Sequence, residues 1–392
     1  MEINPYPPGV GHVEFHQSAD RIVACYDSLK MDYSLRQRKL AAEVRSREIG
    51  LFLITHLPNI RYLCGFSGSS GALLLVASGR AHSLAFFTDG RYTQQAADEV
   101  QGAKVVITSK PALIAAAERA LKSRTDVLGF EADHLPYAQF QQIRSMVRGE
   151  LRLKPTSGLV EQFRIRKDAE EVERIRAAVQ LGSDLFPSAL SAIRPGVAET
   201  EVAAELELSA RRAGADGMSF ETIVAAGIRS ALPHGRASIQ AIPESGFIIL
   251  DYGVILAGYC SDMTRTVHVG PVSPAHRRMY QAVHEAQVAG IQAVRPGVET
   301  GEVDRAGREI LKSAGYDAYF THSTGHGVGL EIHEQPRLAK GQKQKLEPGM
   351  VVTIEPGIYM PGEGGVRIED MVLVTDSGHE VLTPTSKELI TV

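Results

Sequence analysis

The chain has 392 residues, and its 42 Lys and Arg against 46 Asp and Glu leave a formal net charge of −4. With 44% apolar and 22% charged residues it reads as a globular chain of two or three domains, which excludes disordered and collagen-like classes. It carries no long block of one charge and no apolar stretch approaching the roughly 18–20 residues of a membrane helix, so neither nucleic acid nor a membrane is an expected partner.

Residues 1–33 are Pro-rich and aperiodic and read as an extended arm; they lack the basic and apolar regions of a secretory signal. Cys25, Cys64 and Cys260 are odd in number, far apart and without a Cys-x-x-Cys pair. That argues against a disulfide framework or thiolate zinc site and for a reducing, cytoplasmic setting, with each cysteine a small buried apolar residue. Ser34 is the expected cap of a polar helix reaching about Arg47. The apolar runs 51–54, 72–77, 84–87, 104–107 and 127–130 predict strands, with helical stretches near 90–99, 111–122 and 136–148. This alternation predicts an α/β domain with a mostly parallel or mixed sheet over residues 34–158. Pro155, Thr156, Ser157 and Gly158 break the pattern, and a second domain is expected over 159–392.

That second domain contains an internal repeat. Residues 192–202 (AIRPGVAETEV) match 293–303 (AVRPGVETGEV) at an offset of 101, Arg194 against Arg295, and the register holds to Ala213-Gly214 against Ala314-Gly315. Each copy reads as helix, RPGV turn and second helix, the latter opened by Thr200 or Thr300, which predicts a duplicated unit. Each copy is followed by an apolar strand ending on an acid, Asp251 in FIILDYG and Glu355 in VVTIEPG. A second acid follows each, Asp262 eleven residues on and Glu369 fourteen residues on, a distance that suits a hairpin returning to its start. If the halves pack about a pseudo-two-fold axis, the four carboxylates converge on it.

Apolar strands do not hold unpaired carboxylates without neutralisation or cations. Two divalent ions would balance four carboxylates, and hard oxygen donors with one imidazole suit Mn²⁺, Co²⁺, Zn²⁺ or Fe²⁺. The imidazole is sought in THSTGHGVGLEIHEQP (321–336). Gly325, Gly327 and Gly329 disfavour a helix there and suggest close backbone approach. His326 is the expected fifth ligand and His333 a substrate-binding histidine. His234, in ALPHGRAS, occupies the corresponding place in the first half.

LDYG with Asp251, SDMTRT with Asp262, GHGVGLEIHEQP with His326 and His333, TIEPGIY with Glu355, VRIED with Glu369 and PHG with His234 together resemble the pita-bread metallopeptidases. The resemblance is to the prolidase and Xaa-Pro aminopeptidase branch. NIRYLCGFSGSSGALLLV (59–76) and FFTDGRY (86–92) resemble that branch's N-terminal domain. The resemblance implies a creatinase/prolidase-type α/β N-terminal domain and an α+β pita-bread catalytic domain with an internal pseudo-two-fold duplication. It implies two divalent metal ions per subunit, Mn²⁺ foremost, with Asp251 on one ion, Asp262 and Glu369 bridging, and His326 and Glu355 on the other. It further implies attack by a metal-bridging hydroxide, Glu355 as proton shuttle, and His234 and His333 positioning the substrate and stabilising the intermediate. His322 would line the leaving-group side and Arg367 would orient the carboxylates. The expected substrates are proline-containing peptides and the expected assembly a homodimer. Xaa-Pro aminopeptidase is the first reading of the activity and strict Xaa-Pro dipeptidase (prolidase) the second, since a dipeptidase needs a basic residue, such as Arg236, Arg337 or Arg91, for the carboxylate after proline. A metal-independent creatinase-like C–N hydrolase and a non-catalytic binding module are the more distant alternatives.

Overall fold

The computed structural model describes residues 31–77, 82–123, 125–147 and 151–392. The arm expected over 1–33 lies outside these residues except for its last three. Six strands, β1 (Leu51–Ile54), β2 (Ala72–Val76), β3 (Ser83–Thr88), β4 (Lys104–Ile107), β5 (Val127–Glu131) and β6 (Arg152–Thr156), form one mixed sheet in the order β4-β3-β2-β1-β5-β6. Both faces are covered. Phe52 and Ile54 pack with Leu40, Val44 and Ile60, whereas Leu51 and Leu53 pack with Ala112, Ala116 and Ala117 of the helix on the other face. Double burial is why the central strands β1, β2 and β5 read as continuous apolar runs rather than as alternating ones.

Three local expectations are corrected. The helix Tyr33–Ser46 is capped by Asp32, whose carboxylate accepts the Leu35 N–H at 2.8 Å, and not by Ser34. A helix at Leu57–Cys64 was not anticipated, although Pro58 in its first turn and Gly65 at φ 87° after its end are the expected punctuation. β6 was read as a break because of Pro155; it is an edge strand, parallel to β5, where a missing N–H is tolerated. Cys64 and Cys260 are buried and free; Cys25 lies outside the described residues.

The remaining strands are β7 (Gly217–Met218), β8 (Ile223–Ala226), β9 (Gly246–Tyr252), β10 (Val254–Leu256), β11 (Tyr259–Cys260), β12 (Met263–Val269), β13 (Gly325–Gly327), β14 (Glu334–Leu338), β15 (Val351–Ile354), β16 (Gly357–Met360), β17 (Gly364–Arg367), β18 (Asp370–Val374) and β19 (His379–Val381). They form sheets ordered β12-β9-β8 and β14-β13-β15-β18-β19, with the smaller groups β11-β10-β7 and β16-β17. Helices cover the outer faces. Val202 and Leu206 pack on Val224, Ile248 and Leu250, and Ile291 and Val303 pack on Val352, Ile354 and Val372.

The duplication is visible in the hydrogen bonds. Gly196 and Gly297 take φ of 84° and 82°, which glycine adopts without penalty. Their N–H groups donate to Ile242 O (2.9 Å) and Leu346 O (2.8 Å), and those residues donate back to Val197 O and Val298 O, each at 2.8 Å. The second helix of the first copy opens on Glu199, not Thr200, and Glu199 is the register partner of Thr300. Glu199 is fully buried and accepts from Ala226 N–H (2.8 Å), Ser238 N–H (3.0 Å), Ser238 Oγ (2.7 Å) and Arg229 Nε (3.0 Å), tying the helix to the loop that carries His234. Glu199→Ala strands these donors and should lower unfolding stability by about 3 kcal/mol, read as a shifted urea midpoint at unchanged slope.

Candidate active site

In each half the acids sit at one end of an antiparallel strand pair. Asp251 lies in β9 opposite Thr264 of β12, and Asp262 immediately precedes β12. Glu355 immediately follows β15, Glu369 immediately precedes β18, and Ile354 pairs with Asp370 between them. The halves are joined at this end by two short runs. Thr264 Oγ donates to Glu369 Oε2 at 2.7 Å, the Glu369 N–H donates to Thr264 O at 3.1 Å, and Thr266 Oγ donates to Arg367 O at 2.8 Å. Between the two threonines, the buried Arg265 donates to Asp370 Oδ1 (2.7 Å) and to the carbonyls of Thr264 and Glu369. Arg265 and the two threonines escaped the sequence reading; their signal was a hydroxyl–cation–hydroxyl run inside an apolar strand next to an acid.

All nine site residues expected from the sequence, His234, Asp251, Asp262, His322, His326, His333, Glu355, Arg367 and Glu369, line one cavity of about 1020 Å³. His326 is on β13, as the glycine spacing suggested. A Cβ on Gly325 would overlap the Thr353 carbonyl, and one on Gly327 would overlap the Gln335 carbonyl. The His326 ring is oriented by its Nδ1–H, which donates to Gly327 O at 3.0 Å. Its Nε2 therefore carries a lone pair, and it lies 3.6 Å from Asp262 Oδ2 and 3.5 Å from Glu355 Oε1. Asp262, His326 and Glu369 each bring a donor atom within 4.8 Å of the other two. The His333 ring meets that of His326 edge-on at 4.4 Å.

His322 lines the cavity with both of its ring nitrogens engaged. Its Nδ1–H donates to Ser323 O at 2.8 Å, so its Nε2 accepts from the Tyr359 hydroxyl at 2.9 Å. Both ring nitrogens are engaged, and burial together with the charge of Arg367 pushes its pKa down to about 4. It therefore holds Tyr359 on the cavity wall. Tyr359, a further residue the sequence reading did not single out, accepts from Arg367 at 2.6 Å. Arg367 also donates to Asp251 Oδ2, to Thr264 Oγ (3.2 Å) and to Pro233 O (3.1 Å), next to His234. Of the arginines considered for a substrate carboxylate, Arg236 and Arg337 line the cavity. Arg91 does not; it pairs with Asp89 in its own exposed turn at 2.9 Å.

The electrostatics show that the donor set fits divalent cations. Burial and the neighbouring Glu369, Asp251 and Glu355 push Asp262 well above the usual carboxylate range, and burial with Glu355 and Asp251 does the same for Glu369. Burial raises Glu355 to about 7, and burial lowers His326, which keeps the imidazole in its ligand form. Asp251 Oδ1 is buried with no hydrogen-bond partner. Four crowded carboxylates, one of them with an unpartnered oxygen, and one correctly oriented imidazole suit two hard or borderline ions.

Residues 173–376 match metallopeptidase family M24, and residues 36–166 match the creatinase/prolidase N-terminal domain. The chain belongs to metallopeptidase family M24. Among M24 relatives, an Xaa-Pro dipeptidase of Pyrococcus horikoshii is 36% identical over 353 residues, covering 90% of this chain and 98% of its own. The structure of an Xaa-Pro dipeptidase from Bacillus anthracis shares 41% identity at a TM-score of 0.88, covering 92% of this chain and 100% of its own. That of an X-Pro aminopeptidase from Thermotoga maritima shares 32% at 0.83, covering 91% and 99%. The M24 assignment makes this chain a metallopeptidase and implies divalent metal ions.

Carboxylates with raised pKa values hold protons that a cation must displace. Metal affinity should therefore fall as pH drops below about 7, by about tenfold per pH unit for each proton released; metal titrations at pH 6 and 8 check this, and pH-independent affinity would contradict it. Gly325→Ala should push β13 off β15, lower stability by about 2–3 kcal/mol and weaken metal binding by displacing His326, as measured by denaturation and metal content.

Proposed function

We propose that this M24 chain hydrolyses the Xaa-Pro bond of short peptides, with Xaa-Pro dipeptides as its preferred substrates. The observation that carries the reading is the convergence of Asp251, Asp262, Glu355 and Glu369 with the free Nε2 of His326 at one wall of the cavity. Asp251, Asp262, Glu369, His326 and Glu355 would hold two divalent ions, Mn²⁺ foremost. When bound, such ions polarise a carbonyl and lower the pKa of water.

The chain's own groups supply the rest. Glu355 faces the cavity and takes the proton of the attacking water, passing it to the proline nitrogen as that nitrogen leaves. His234 and His333, on the cavity wall, position the scissile carbonyl and donate to the oxygen that gains charge. Arg367 and Tyr359 keep Asp251 and the Pro233-His234 segment in place. An Xaa-Pro bond has no amide hydrogen, so a site that grips the carbonyl and encloses the ring needs no backbone N–H from its substrate.

The names of the Pyrococcus and Bacillus relatives support dipeptides, as do Arg236 and Arg337 on the cavity wall, either of which suits the carboxylate after proline. The second reading is an aminopeptidase, favoured by a cavity larger than a dipeptide requires and by the Thermotoga relative.

Incubation of the Mn²⁺-loaded protein with Ala-Pro and, separately, with Ala-Pro-Ala-Ala, followed by mass spectrometry, tests both. Alanine released from Ala-Pro at least about tenfold faster supports the dipeptidase. Comparable release from both makes it an aminopeptidase, and release from neither, with two metals bound, overturns the Xaa-Pro reading. Asp262→Ala should lose metal and turnover together; full activity in that variant would overturn the metal-dependent mechanism.

A further inference from the structure

The loop that carries His333 is held on both sides of that residue by one buried cation. Arg164 ends the one-turn helix Glu161–Arg164, on the segment between β6 and the helix Ala169–Asp184, and its side chain is 2% exposed. Its Nη2 donates to Glu331 Oε2 at 2.7 Å and to Glu334 Oε1, so its partners stand two residues before His333 and one residue after it. Its Nη1 donates at 2.7 Å to Oδ1 of Asn59, in the helix Leu57–Cys64 of the N-terminal domain. Asn59 is fully buried and is fixed in turn by donating to Glu131 Oε1 (2.7 Å) and Glu161 Oε1 (2.6 Å). We propose that Arg164 is a positioning residue for His333, through which the N-terminal domain sets one wall of the cavity.

Three observations carry this. First, His333 is exposed on the cavity wall, and among the described residues no group hydrogen-bonds its ring. Unlike His322 and His326, it takes its place from the loop and not from a bond of its own. Second, that loop is folded around the Glu334 carboxylate. Glu334 Oε1 accepts the Glu331 N–H at 3.1 Å, Oε2 accepts Lys167 Nζ at 3.1 Å, and a Cβ on Gly329 would fall 2.7 Å from Oε2. The carboxylate therefore fills the turn 329–334, and Arg164 with Lys167 sets where it lies. Third, the clamp stays ionised. Burial opposes the charge on Glu331, yet His56 and Arg164 pull its pKa down to about 2; burial likewise opposes the charge on Glu334, and Lys167 and Arg164 hold it below the usual carboxylate range. A guanidinium reaches Asn59 and both acids at once because its donors are spread in a planar fork, which a lysine ammonium lacks.

The inference rests on the reading of His333 as a residue that positions the scissile carbonyl, and two measurements on the full chain keep the two apart. The first is a double-mutant cycle on Ala-Pro hydrolysis by the Mn²⁺-loaded protein, with metal content followed alongside. Arg164→Gln should keep two metals per chain and lose about tenfold in kcat with KM little changed. In the His333→Ala background the same substitution should cost less than about twofold, because the group it positions is gone. Glu331→Ala, at a side chain about a third exposed (34%), removes one arm of the clamp; it should show the same dependence on His333 with a smaller loss, and it decides the matter if Arg164→Gln does not fold. The second measurement needs no substrate. In Zn²⁺-loaded protein with ring-labelled histidine, the NMR resonance of His333 should move or broaden in Arg164→Gln and Glu331→Ala while that of His322 does not. Full turnover in His333→Ala overturns the reading of His333 and this proposal with it. A slowed His333→Ala beside losses that simply add, beside undiminished rates in both clamp variants, or beside an unmoved His333 resonance overturns the proposal alone.

Discussion

Four carboxylates held out of water within reach of one another are the constraint around which this chain is organised. Their mutual repulsion and desolvation would expel them from the core or leave them protonated unless positive charge is supplied. The fold supplies part of it. Arg367 is fully enclosed; burial opposes its charge, yet Tyr359, Asp251 and Glu355 hold it charged well beyond the ordinary range. One guanidinium cannot balance four acids, and the remainder is left for divalent ions. The unpartnered oxygen of Asp251 and the lone pair of His326 show the same incompleteness in hydrogen-bonding terms.

The seam between the duplicated halves gives this arrangement its rigidity. Thr264, Arg265 and Thr266 from one half bond to Arg367, Glu369 and Asp370 from the other. The residues that hold the halves together are therefore neighbours in sequence of the residues that face the cavity. Orientation of a donor and cohesion of the domain are set by the same strands, so a disturbance of one reaches the other. The histidines follow a similar economy. His322 and His326 each donate Nδ1–H to the carbonyl of the next residue, which fixes both rings by purely local means.

Much of this was legible in the residues. The strands of the N-terminal sheet other than β6, the duplication and the acids at strand ends were readable because apolar runs mark buried strands and a duplicated turn writes RPGV twice. What escaped notice did so for physical reasons. Pro155 signals a break by its chemistry, and only the sheet order shows that it occupies an edge. Thr200 resembles a helix start, but Glu199 is preferred because four donors from distant segments meet it. The resemblance puts His322 on the leaving-group side, but its hydrogen bond from Tyr359, thirty-seven residues away, is a pairing that no local pattern encodes. Arg265 is the clearest case. An arginine in an apolar strand reads as an exception until its partners, more than a hundred residues on, are brought to it.

Because Asp251 and Asp262 come from one half and His326, Glu355 and Glu369 from the other, neither half contains a complete donor set. The bound ions then act as a crosslink between two pieces of backbone that the chain joins only through the stretch between β12 and the helix Pro274–Ala293. A single cut in that stretch removes no donor, yet it turns an intramolecular site into a contact between two fragments. Holding the fragments together would fall to the threonine–arginine seam, to the apolar contacts the halves share, such as Phe247 with Val283 and Ile358, and to the metal, which would then be part of what keeps a nicked molecule whole.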